Sequence, residues 1–568
     1  MLEINVMKFA RKHLVQLGSL SMALVFSFVY PGVVFGQDRP AAPVILDAQR
    51  MLQEAISREF PAPLSVPIEA QSLSDVTPGG AEVLLVDIVF DGNTRLSEFS
   101  LLQAVGAEAL GQTYDLGGLR GLANQVSQYY RSQGFVFARA FIPAQTLDDG
   151  VLKIQVLEGR FGEILVDSED EAIAERVAQY LVPLKPGSVI ENATLQRTFA
   201  LLGDVPGLEV VPLITTGQVP GTGDILVSAN RDAVNRLRFS ADNHGNRFSG
   251  AYRASFAFTT PQLFQFGDAL SLTGLASNEQ LGLISTEYSA PILSFGLRLS
   301  ASYSRTQYDL GQLEEPIVST TGGSEVATVR LSYPLIRSAE RDVQLNISHQ
   351  RKWLNTDTIF ISDQVRAERV GASLLPLSMS WQERDEWLGG GLSQASLTLT
   401  IGHTVRRARE TFQDNESTHR DFIKTEVQAY RIQSLPINAV DARFFGSIST
   451  QFATRSLDSS EQFSLGGASG VRAYPQGESS GSQGWLAQLE LRASYGPWEP
   501  FVFYDLGHIV ASSEEVASTL QGLGIGVRAN GNTVNGNFAV AWKVDPQEAV
   551  SDQRQRNPRV WFSLNYQL

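Results

Sequence analysis

The residue types that usually carry enzyme chemistry are few and scattered in this 568-residue chain. The chain has no cysteine, and its six histidines include no i, i+4 pair, so a metal site is not indicated. The glycine-rich run at 466–470 lacks the G-x-S-x-G spacing of a nucleophile elbow, and no P-loop occurs. We therefore predict a protein that is not an enzyme and that uses no cofactor.

The clearest chemical pairing is between an arginine in a long loop and an aspartate in a strand. The loop at 455–482 is rich in glycine and contains the run Val471, Arg472, Ala473 and Tyr474. In the later strand, period two predicts one inward face made of Phe503, Asp505 and Gly507. A carboxylate among aromatic side chains favours a guanidinium, which can bind it with two hydrogen bonds. Parity alone leaves a solvated, pore-lining Asp505 as an equal alternative.

The strand that carries Asp505 belongs to a long region of alternating residues, from 235 to 568. Apolar and polar side chains alternate there, for example at 343–348, 395–401 and 487–494. Strands of about ten residues, and short turns that alternate with long loops, are typical of a transmembrane barrel rather than a soluble sandwich. The long loops are expected at 307–322, 354–365, 405–421, 455–482 and 544–557. We predict about 16 antiparallel strands, with both barrel ends on the periplasmic side.

Two copies of a small α+β domain are predicted before the barrel, at 83–160 and 161–232. In each copy, hydrophobic periodicity and turn residues indicate the order β-α-α-β-β, and a repeat of this order indicates duplication. Because these domains precede the first barrel strand, we expect them to lie in the periplasm. The net charge of −15 argues against a nucleic-acid partner.

The N-terminal region is typical of an exported protein. Residues 1–36 predict a signal peptide, with Lys8, Arg11 and Lys12 before an apolar stretch and small residues before Gln37. A single membrane-spanning helix is the alternative. Residues 37–82 predict a linker with an amphipathic helix at 45–60, and a wholly disordered linker is the alternative.

The loop and strand motifs resemble a pair known from one superfamily. The run 471–474 resembles the V-R-G-[YF] motif of the Omp85 superfamily, and Phe503-x-Asp505-x-Gly507 resembles its F-x-D-x-G partner. Two β-α-α-β-β units before a sixteen-stranded barrel resemble the POTRA domains and barrel of two-partner secretion (TpsB) transporters of the ShlB/FhaC/HecB haemolysin secretion/activation type. The runs at 156–159, 242–245, 267–268 and 288–291, and the 45–60 helix, are also similar to that family.

Three residues depart from the family pattern. Ala473 stands where the motif has glycine, Ser482 where many relatives have aspartate, and Leu568 where a terminal aromatic is usual. The first two are expected to affect the geometry of the loop, because Ala473 adds a Cβ and Ser482 removes a charge. The third is expected to affect recognition by the barrel-assembly machinery.

The resemblance implies a translocator in the outer membrane that exports an unfolded, TpsA-like exoprotein without ATP. It implies that the loop folds into the lumen and that Arg472 pairs with Asp505. The POTRA domains would capture the exoprotein by strand addition. Our proposed edge strand in the first domain is Phe135, Val136, Phe137, Ala138, Arg139, Ala140, Phe141 and Ile142. The alternatives are an Omp85-type insertase that assembles other barrels and, from another class, a passive porin, which has no need of two folded periplasmic domains.

Overall fold

The computed structural model describes residues 73–568, apart from 148, 233, 311–316, 362–364, 411–415, 438–439, 513–514, 546–547, 550 and 553–554. The predicted signal peptide (1–36), the predicted helix at 45–60 and most of the linker at 37–82 lie outside the described residues and stay predictions. None of the helices in the described part combines the length and the apolar character needed to cross a bilayer.

The first α/β unit is a small mixed sheet covered by two helices. Its elements are β1 (Val83–Leu84), β2 (Asp87–Asp91), α1 (Glu98–Val105), a 3-10 turn (Ala107–Ala109), β3 (Thr113–Tyr114), α2 (Leu116–Ser132), β4 (Arg139–Phe141) and β5 (Val151–Leu157). The central strand β5 is parallel to β2 and antiparallel to β4. Side chains of Ser97 and Asp115 accept hydrogen bonds from backbone N–H groups in the first turns of α1 and α2, which stabilises the start of each helix.

The edge strand predicted at 135–142 is wrong over most of its length, because β4 covers only Arg139–Phe141. A regular strand would place Phe135 and Phe137 on the same face of the sheet. Instead, the ring of Phe135 packs edge-on against Tyr130, with centroids 5.9 Å apart, while Phe137 packs against the core of the second α/β unit. The two partly buried rings pack against different cores, and the chain turns before β4.

The second α/β unit repeats the architecture of the first. Its elements are β6 (Arg160–Asp167), α3 (Glu171–Leu181), α4 (Asn192–Gly203), β7 (Leu208–Thr216) and β8 (Thr222–Arg231). The central strand β8 is parallel to β6 and antiparallel to β7, which is the arrangement of β2, β5 and β4 in the first unit. Strand β7 therefore forms an edge of this sheet that is nine residues long.

The rest of the chain closes into a barrel. In chain order its strands, and two short strands inside one connection, are β9 (Arg236–Asp242), β10 (Arg253–Pro261), β11 (Ala269–Ser277), β12 (Gly282–Pro291), β13 (Arg298–Asp309), β14 (Ile317–Arg337), β15 (Arg341–Phe360), β16 (Val365–Asp385), β17 (Gly391–Glu410), β18 (Glu416–Ile437), β19 (Val440–Ala453), β20 (Phe463–Ser464), β21 (Ser480–Gly481), β22 (Gly484–Ser494), β23 (Trp498–Ile509), β24 (Ser518–Asn530), β25 (Val534–Lys543) and β26 (Arg559–Gln567). All except β20 and β21 belong to the barrel, and β26 pairs with β9. The prediction of sixteen antiparallel strands is confirmed.

Five consecutive strands are about twice as long as predicted. Strands β14 to β18 contain 20 to 22 residues each, so the predicted loops at 354–365 and 405–421 are largely strand. These segments carry polar side chains on both faces, so their sequence pattern resembles that of a loop. Their backbones nevertheless pair with the neighbouring strand, because pairing satisfies the main-chain hydrogen bonds in water as well as in lipid.

Along each barrel strand, exposed apolar residues alternate with buried polar ones. On β22, Leu489 and Leu491 are 44% and 48% exposed, whereas Glu490 is 4% exposed. On β23, Val502 and Tyr504 face outward and Asp505 is fully buried. A row of exposed large apolar side chains is stable only against lipid, so the outward face is the membrane face and the other lines the lumen.

The second α/β unit contacts the turns at one end of the barrel. The guanidinium of Arg337, at the end of β14, donates to both carboxylate oxygens of Asp204 at 2.8 and 2.6 Å, and to Asp342 at 2.8 Å. The side chain of Arg197 donates to the backbone oxygens of Pro334 and Leu335 at 2.8 and 3.0 Å. The short turn between β14 and β15 therefore lies on the same side as the α/β units.

Candidate functional site

The connection between β19 and β22, residues 454–483, lies inside the barrel; we call it the lumen loop. It contains a 3-10 turn at Ser459–Glu461 and the β20–β21 hairpin. Its apolar residues pack against inward-facing side chains of β22 to β26 and are almost completely buried: Leu465, Val471, Ala473 and Tyr474. The loop is therefore packed into the lumen in the way that a hydrophobic core is packed.

Arg472 binds Asp505 on the inward face of β23. Its Nε donates to Oδ2 at 2.9 Å and its Nη2 to Oδ1 at 2.7 Å, while the backbone N–H of Arg472 also donates to Oδ2, at 3.0 Å. The guanidinium carbon lies 3.6 Å from the centroid of the Phe503 ring, a cation–π contact. The structure thus brings together Arg472, Phe503 and Asp505, which are 33 residues or fewer apart in sequence.

A second carboxylate, which we did not single out in the sequence, completes the binding of Arg472. Nη1 of Arg472 donates to Glu490 of β22 at 2.6 Å, and the other oxygen of Glu490 accepts from Arg492 and Arg528 at 2.9 and 2.8 Å. The sequence could have indicated Glu490, because it alternates with the outward-facing Leu489 and must therefore point into the lumen. One buried arginine of the loop is therefore held by two buried carboxylates from adjacent strands.

The barrel wall also binds the backbone of the lumen loop. The indole N–H of Trp561, on β26, donates to the carbonyl oxygen of Arg472 at 2.7 Å. The side-chain amide of Gln488, on β22, donates to the carbonyl oxygen of Gly470 at 2.9 Å. The barrel wall therefore holds the backbone of the loop as well as its charged side chain.

A separate ion-pair cluster anchors the first part of the lumen loop to a different sector of the wall. Glu461 lies 2.5 Å from Nζ of Lys352 on β15 and 3.0 Å from Nζ of Lys424 on β18, and all three side chains are buried. The backbone oxygen of Glu461 accepts from Gln451 at 3.0 Å. We found no signal for this cluster in the sequence, because it joins a loop carboxylate to strands 109 and 37 residues away.

Two glycines make room for the lumen loop. A Cβ at Gly507, the last residue of the predicted strand motif, would lie 2.7 Å from Cδ2 of Leu465, and a Cβ at Gly522 would lie 2.7 Å from Cβ of Ala473. Both separations are too short for real carbon atoms. The glycine of the F-x-D-x-G run therefore permits close approach of the loop to β23.

Two of the three departures from the family pattern, Ala473 and Ser482, have a local explanation, and nothing in the structure explains leucine at 568. Ala473 is not among the non-glycine residues with positive φ in the described chain, and its Cβ occupies the space left by Gly522. Ser482 donates from its backbone N–H to Glu515 at 2.9 Å and from its hydroxyl to the same carboxylate, where an aspartate would be repelled. Leu568 continues the barrel seam through its backbone, with its N–H 2.9 Å from the oxygen of Leu237.

Two other family-like runs meet at a periplasmic turn. The carboxylate of Asp268 is fully buried and accepts hydrogen bonds from the backbone N–H groups of residues 263–265 and from the hydroxyl of Tyr288 at 2.8 Å. At the seam between β9 and β26, the side chain of Asn243 exchanges hydrogen bonds with the backbone of Val560 and Phe562 at 2.9 and 2.8 Å. Both sets have structural roles in the barrel.

The run at 156–159 joins the two α/β units. The buried carboxylate of Glu158 accepts from the backbone N–H groups of Thr94 and Arg95 at 2.6 and 2.7 Å, and from the hydroxyl of Thr94. It also accepts from Tyr130 at 3.2 Å, and burial together with the nearby negative charge of Glu158 raises the pKa of Tyr130 above its usual range. This cluster therefore stabilises the end of the first unit.

Together, the α/β units, the closed barrel and the ion-paired lumen loop define a class: an outer-membrane β-barrel transporter with periplasmic POTRA domains. Residues 221–529 match the family model of the haemolysin secretion/activation protein ShlB/FhaC/HecB, and residues 83–159 match the POTRA domain, ShlB-type. The chain belongs to the ShlB/FhaC/HecB family of outer-membrane transporters.

Individual relatives are distant but match over most of their length. The heme/hemopexin transporter protein HuxB of Haemophilus influenzae (strain 86-028NP) is 25% identical over 80% of this chain and 82% of its own. The outer membrane transporter CdiB of Dickeya dadantii is 23% identical over 88% of this chain and 89% of its own. The solved structure of CdiB from Escherichia coli covers 94% of this chain and 100% of its own, with a TM-score of 0.68 at 19% identity, which shows the same fold.

Proposed function

We propose that the protein exports one secreted partner protein, unfolded and without ATP, through its barrel. The observation that carries the proposal is the lumen loop, which is held in the pore by buried ion pairs on two sectors of the wall. A pore for passive diffusion does not need a loop that is packed into its lumen and held there by ion pairs. A protein-conducting pore needs such a loop, because it must stay closed between transport events.

The anchors suit a gate because buried ion pairs are specific without contributing much net stability. Removing two charges from water costs almost as much free energy as their attraction returns, whereas leaving one of them unpaired costs about 3–5 kcal/mol. An exported chain that supplies polar groups to Arg472, Asp505 and Glu490 could therefore replace the loop at small net cost. Folding of the exported protein outside the cell would then make its return unfavourable.

For capture of the unfolded partner, strand β4 offers little free backbone. The N–H of Ala140 donates to the hydroxyl of Ser127 at 2.9 Å, and that hydroxyl lies 3.4 Å from the Ala140 oxygen. Strand β7 in the second unit is a longer edge, and its exposed face carries Val211 and Leu213, which are 57% and 50% exposed. We therefore propose strand addition at β7, where main-chain bonds would give affinity and this apolar face would give selectivity.

The β7 proposal predicts that the double variant V211E/L213E binds the unfolded exoprotein more weakly and reduces its secretion by about tenfold or more. Two carboxylates on the exposed face of β7 would lie beside the side chains of the added strand and would remove their apolar contacts. The control is V182E, since Val182 is 67% exposed in the same domain and lies just beyond α3. Equal secretion by the double variant and the control would contradict the role of β7.

The names of the relatives suggest which partner to look for. HuxB is described as a heme/hemopexin transporter and a Serratia marcescens relative as a hemolysin transporter. We propose a TpsA-like exoprotein as the partner, with outer-membrane lipid around the barrel and the barrel-assembly machinery needed for its insertion.

The decisive experiment is deletion of the gene followed by proteomics of the periplasm and the outer membrane. Export of a dedicated partner predicts that one protein accumulates or is degraded in the periplasm while other barrels keep their normal level. Depletion of many outer-membrane proteins would instead support the insertase alternative. Reintroduction of the intact gene should restore secretion of that one protein.

A further inference from the structure

The extracellular ends of β15 to β18 carry a group of arginines that the export role does not use. These ends lie opposite the turn that contacts the second POTRA-like unit, so they project from the outer side of the membrane. The group, which we call the outer basic surface, consists of Arg351, Arg369, Arg407 and Arg409, all exposed. Its positive charge contrasts with the net charge of −15 of the whole chain.

The outer basic surface continues the lipid-facing side of the barrel. On β17, Leu397 and Ile401 are 50% and 54% exposed to lipid, and the residues that follow on the same face are His403, Arg407 and Arg409. On β15, exposed Ile347 is followed on the same face by Arg351 and then Trp353. The arginines therefore point toward the membrane surroundings and away from the lumen.

Within this surface, like charges face each other. Arg369 lies directly opposite Arg407 in the register of β16 and β17, and like charges in this arrangement are destabilising. Two acidic residues on the same face are already engaged, because Asp357 binds Arg369 at 2.8 and 3.1 Å and Asp421 lies 2.6 Å from His403.

The other three arginines of the surface differ from Arg369 in this respect. In the described part of the chain, Arg351, Arg407 and Arg409 form no ion pair with any acidic side chain. They are therefore available to an anion from outside the protein.

The height of the surface indicates the kind of anion. Arg407 lies six residues beyond Ile401, which corresponds to roughly 14 Å above the apolar band for a strand tilted by about 45°. A phospholipid phosphate lies close to the band, near Arg351, which is level with His403 in the register of β15 to β17, and it does not reach Arg407. A saccharide headgroup with several phosphates spans it, and arginine binds phosphate with two parallel hydrogen bonds.

We propose that the outer basic surface binds the phosphorylated headgroup of lipopolysaccharide in the outer leaflet. The exported chain leaves through the lumen, whereas this surface is on the opposite face of the strands, so the lipid is the partner that meets it. Such binding would hold the tall β15–β18 wall in the membrane next to the pore.

The test compares full-length wild type with the triple variant R351Q/R407Q/R409Q in detergent. The probe is purified lipopolysaccharide, its dephosphorylated form is the comparison, and bound lipid is measured by native mass spectrometry and titration. The control is R176Q/R238Q, which removes two arginines from the second POTRA-like unit and the lumen side of β9. Heat-modifiable migration in gels verifies that every variant is a folded barrel.

We expect the triple variant to bind lipopolysaccharide at least about tenfold more weakly, and the control to bind it like wild type. Dephosphorylated lipopolysaccharide should bind wild type as weakly as the intact lipid binds the triple variant. Equal binding by wild type and the triple variant would overturn the proposal. Displacement of the lipid by millimolar inorganic phosphate would overturn the lipid as occupant.

Discussion

Replacing Arg472 with alanine is expected to abolish export, or reduce it at least about a hundredfold, while the barrel still assembles in the outer membrane. The substitution removes the counter-ion of Asp505, which is fully buried, and one of the three arginines around Glu490. Leaving a buried charge without its partner costs about 3–5 kcal/mol. The lumen loop should therefore lose its position against β22 and β23, and the pore should no longer have a defined closed state.

The barrel should survive this substitution because its strands are held by backbone pairs that do not involve the loop. Strands β22 and β23 pair over nine residue positions, from Gly484–Ile509 to Arg492–Phe501. Secretion of the partner, outer-membrane level and heat-modifiable migration are the three measurements. The control is R305A, since Arg305 makes only an exposed contact of 3.9 Å with Glu325, and such surface pairs contribute little.

A second variant removes the loop's fit without changing any charge. The Cβ that G522V adds would lie 2.7 Å from Cβ of Ala473, so the variant should displace the loop and give the same loss of export. Normal secretion by both R472A and G522V would show that loop position does not control transport. Loss of secretion in G522V alone would point to shape rather than charge as the controlling factor.

Replacing Glu461 with alanine is expected to open the resting pore. Lys352 would remain buried without a carboxylate, and Lys424 would keep only the more exposed Glu426, 3.4 Å away. The unpaired charge again costs about 3–5 kcal/mol, so residues 454–462 should leave the wall. We expect a large rise in single-channel conductance in planar bilayers and in sensitivity of cells to large antibiotics. Secretion should fall less than in R472A, because the Arg472 anchor remains.

The matched control for E461A removes all three charges together. K352M/K424M/E461L leaves no unpaired buried charge, and apolar replacement of a whole buried cluster is often neutral. We expect this triple variant to conduct nearly as little as wild type. Two results would contradict the anchoring role of Glu461. One is that E461A has the same conductance as wild type, and the other is that the triple variant has a conductance as large as that of E461A.

Much of the fold could be read from the sequence because the relevant signals are local. Side-chain parity along a strand has a period of two, so the inward position of Asp505 and the outward position of Val502 follow from counting residues. The order β-α-α-β-β follows from hydrophobic periodicity and turn residues in the same way. The prediction failed where tertiary packing outweighed local pattern, as at 135–142, where Phe135 and Phe137 pack against two different cores.

The sequence by itself determined the sixteen-stranded barrel, the two preceding α/β units and the Arg472–Asp505 pair as a hypothesis. Only the tertiary structure decided that the lumen loop is anchored twice, through Glu490 and Asp505 at one side and through Lys352 and Lys424 at the other. The physical reason is that a loop's contacts depend on its path through the lumen. No periodicity in the chain encodes which charge 109 residues away will neutralise a buried carboxylate.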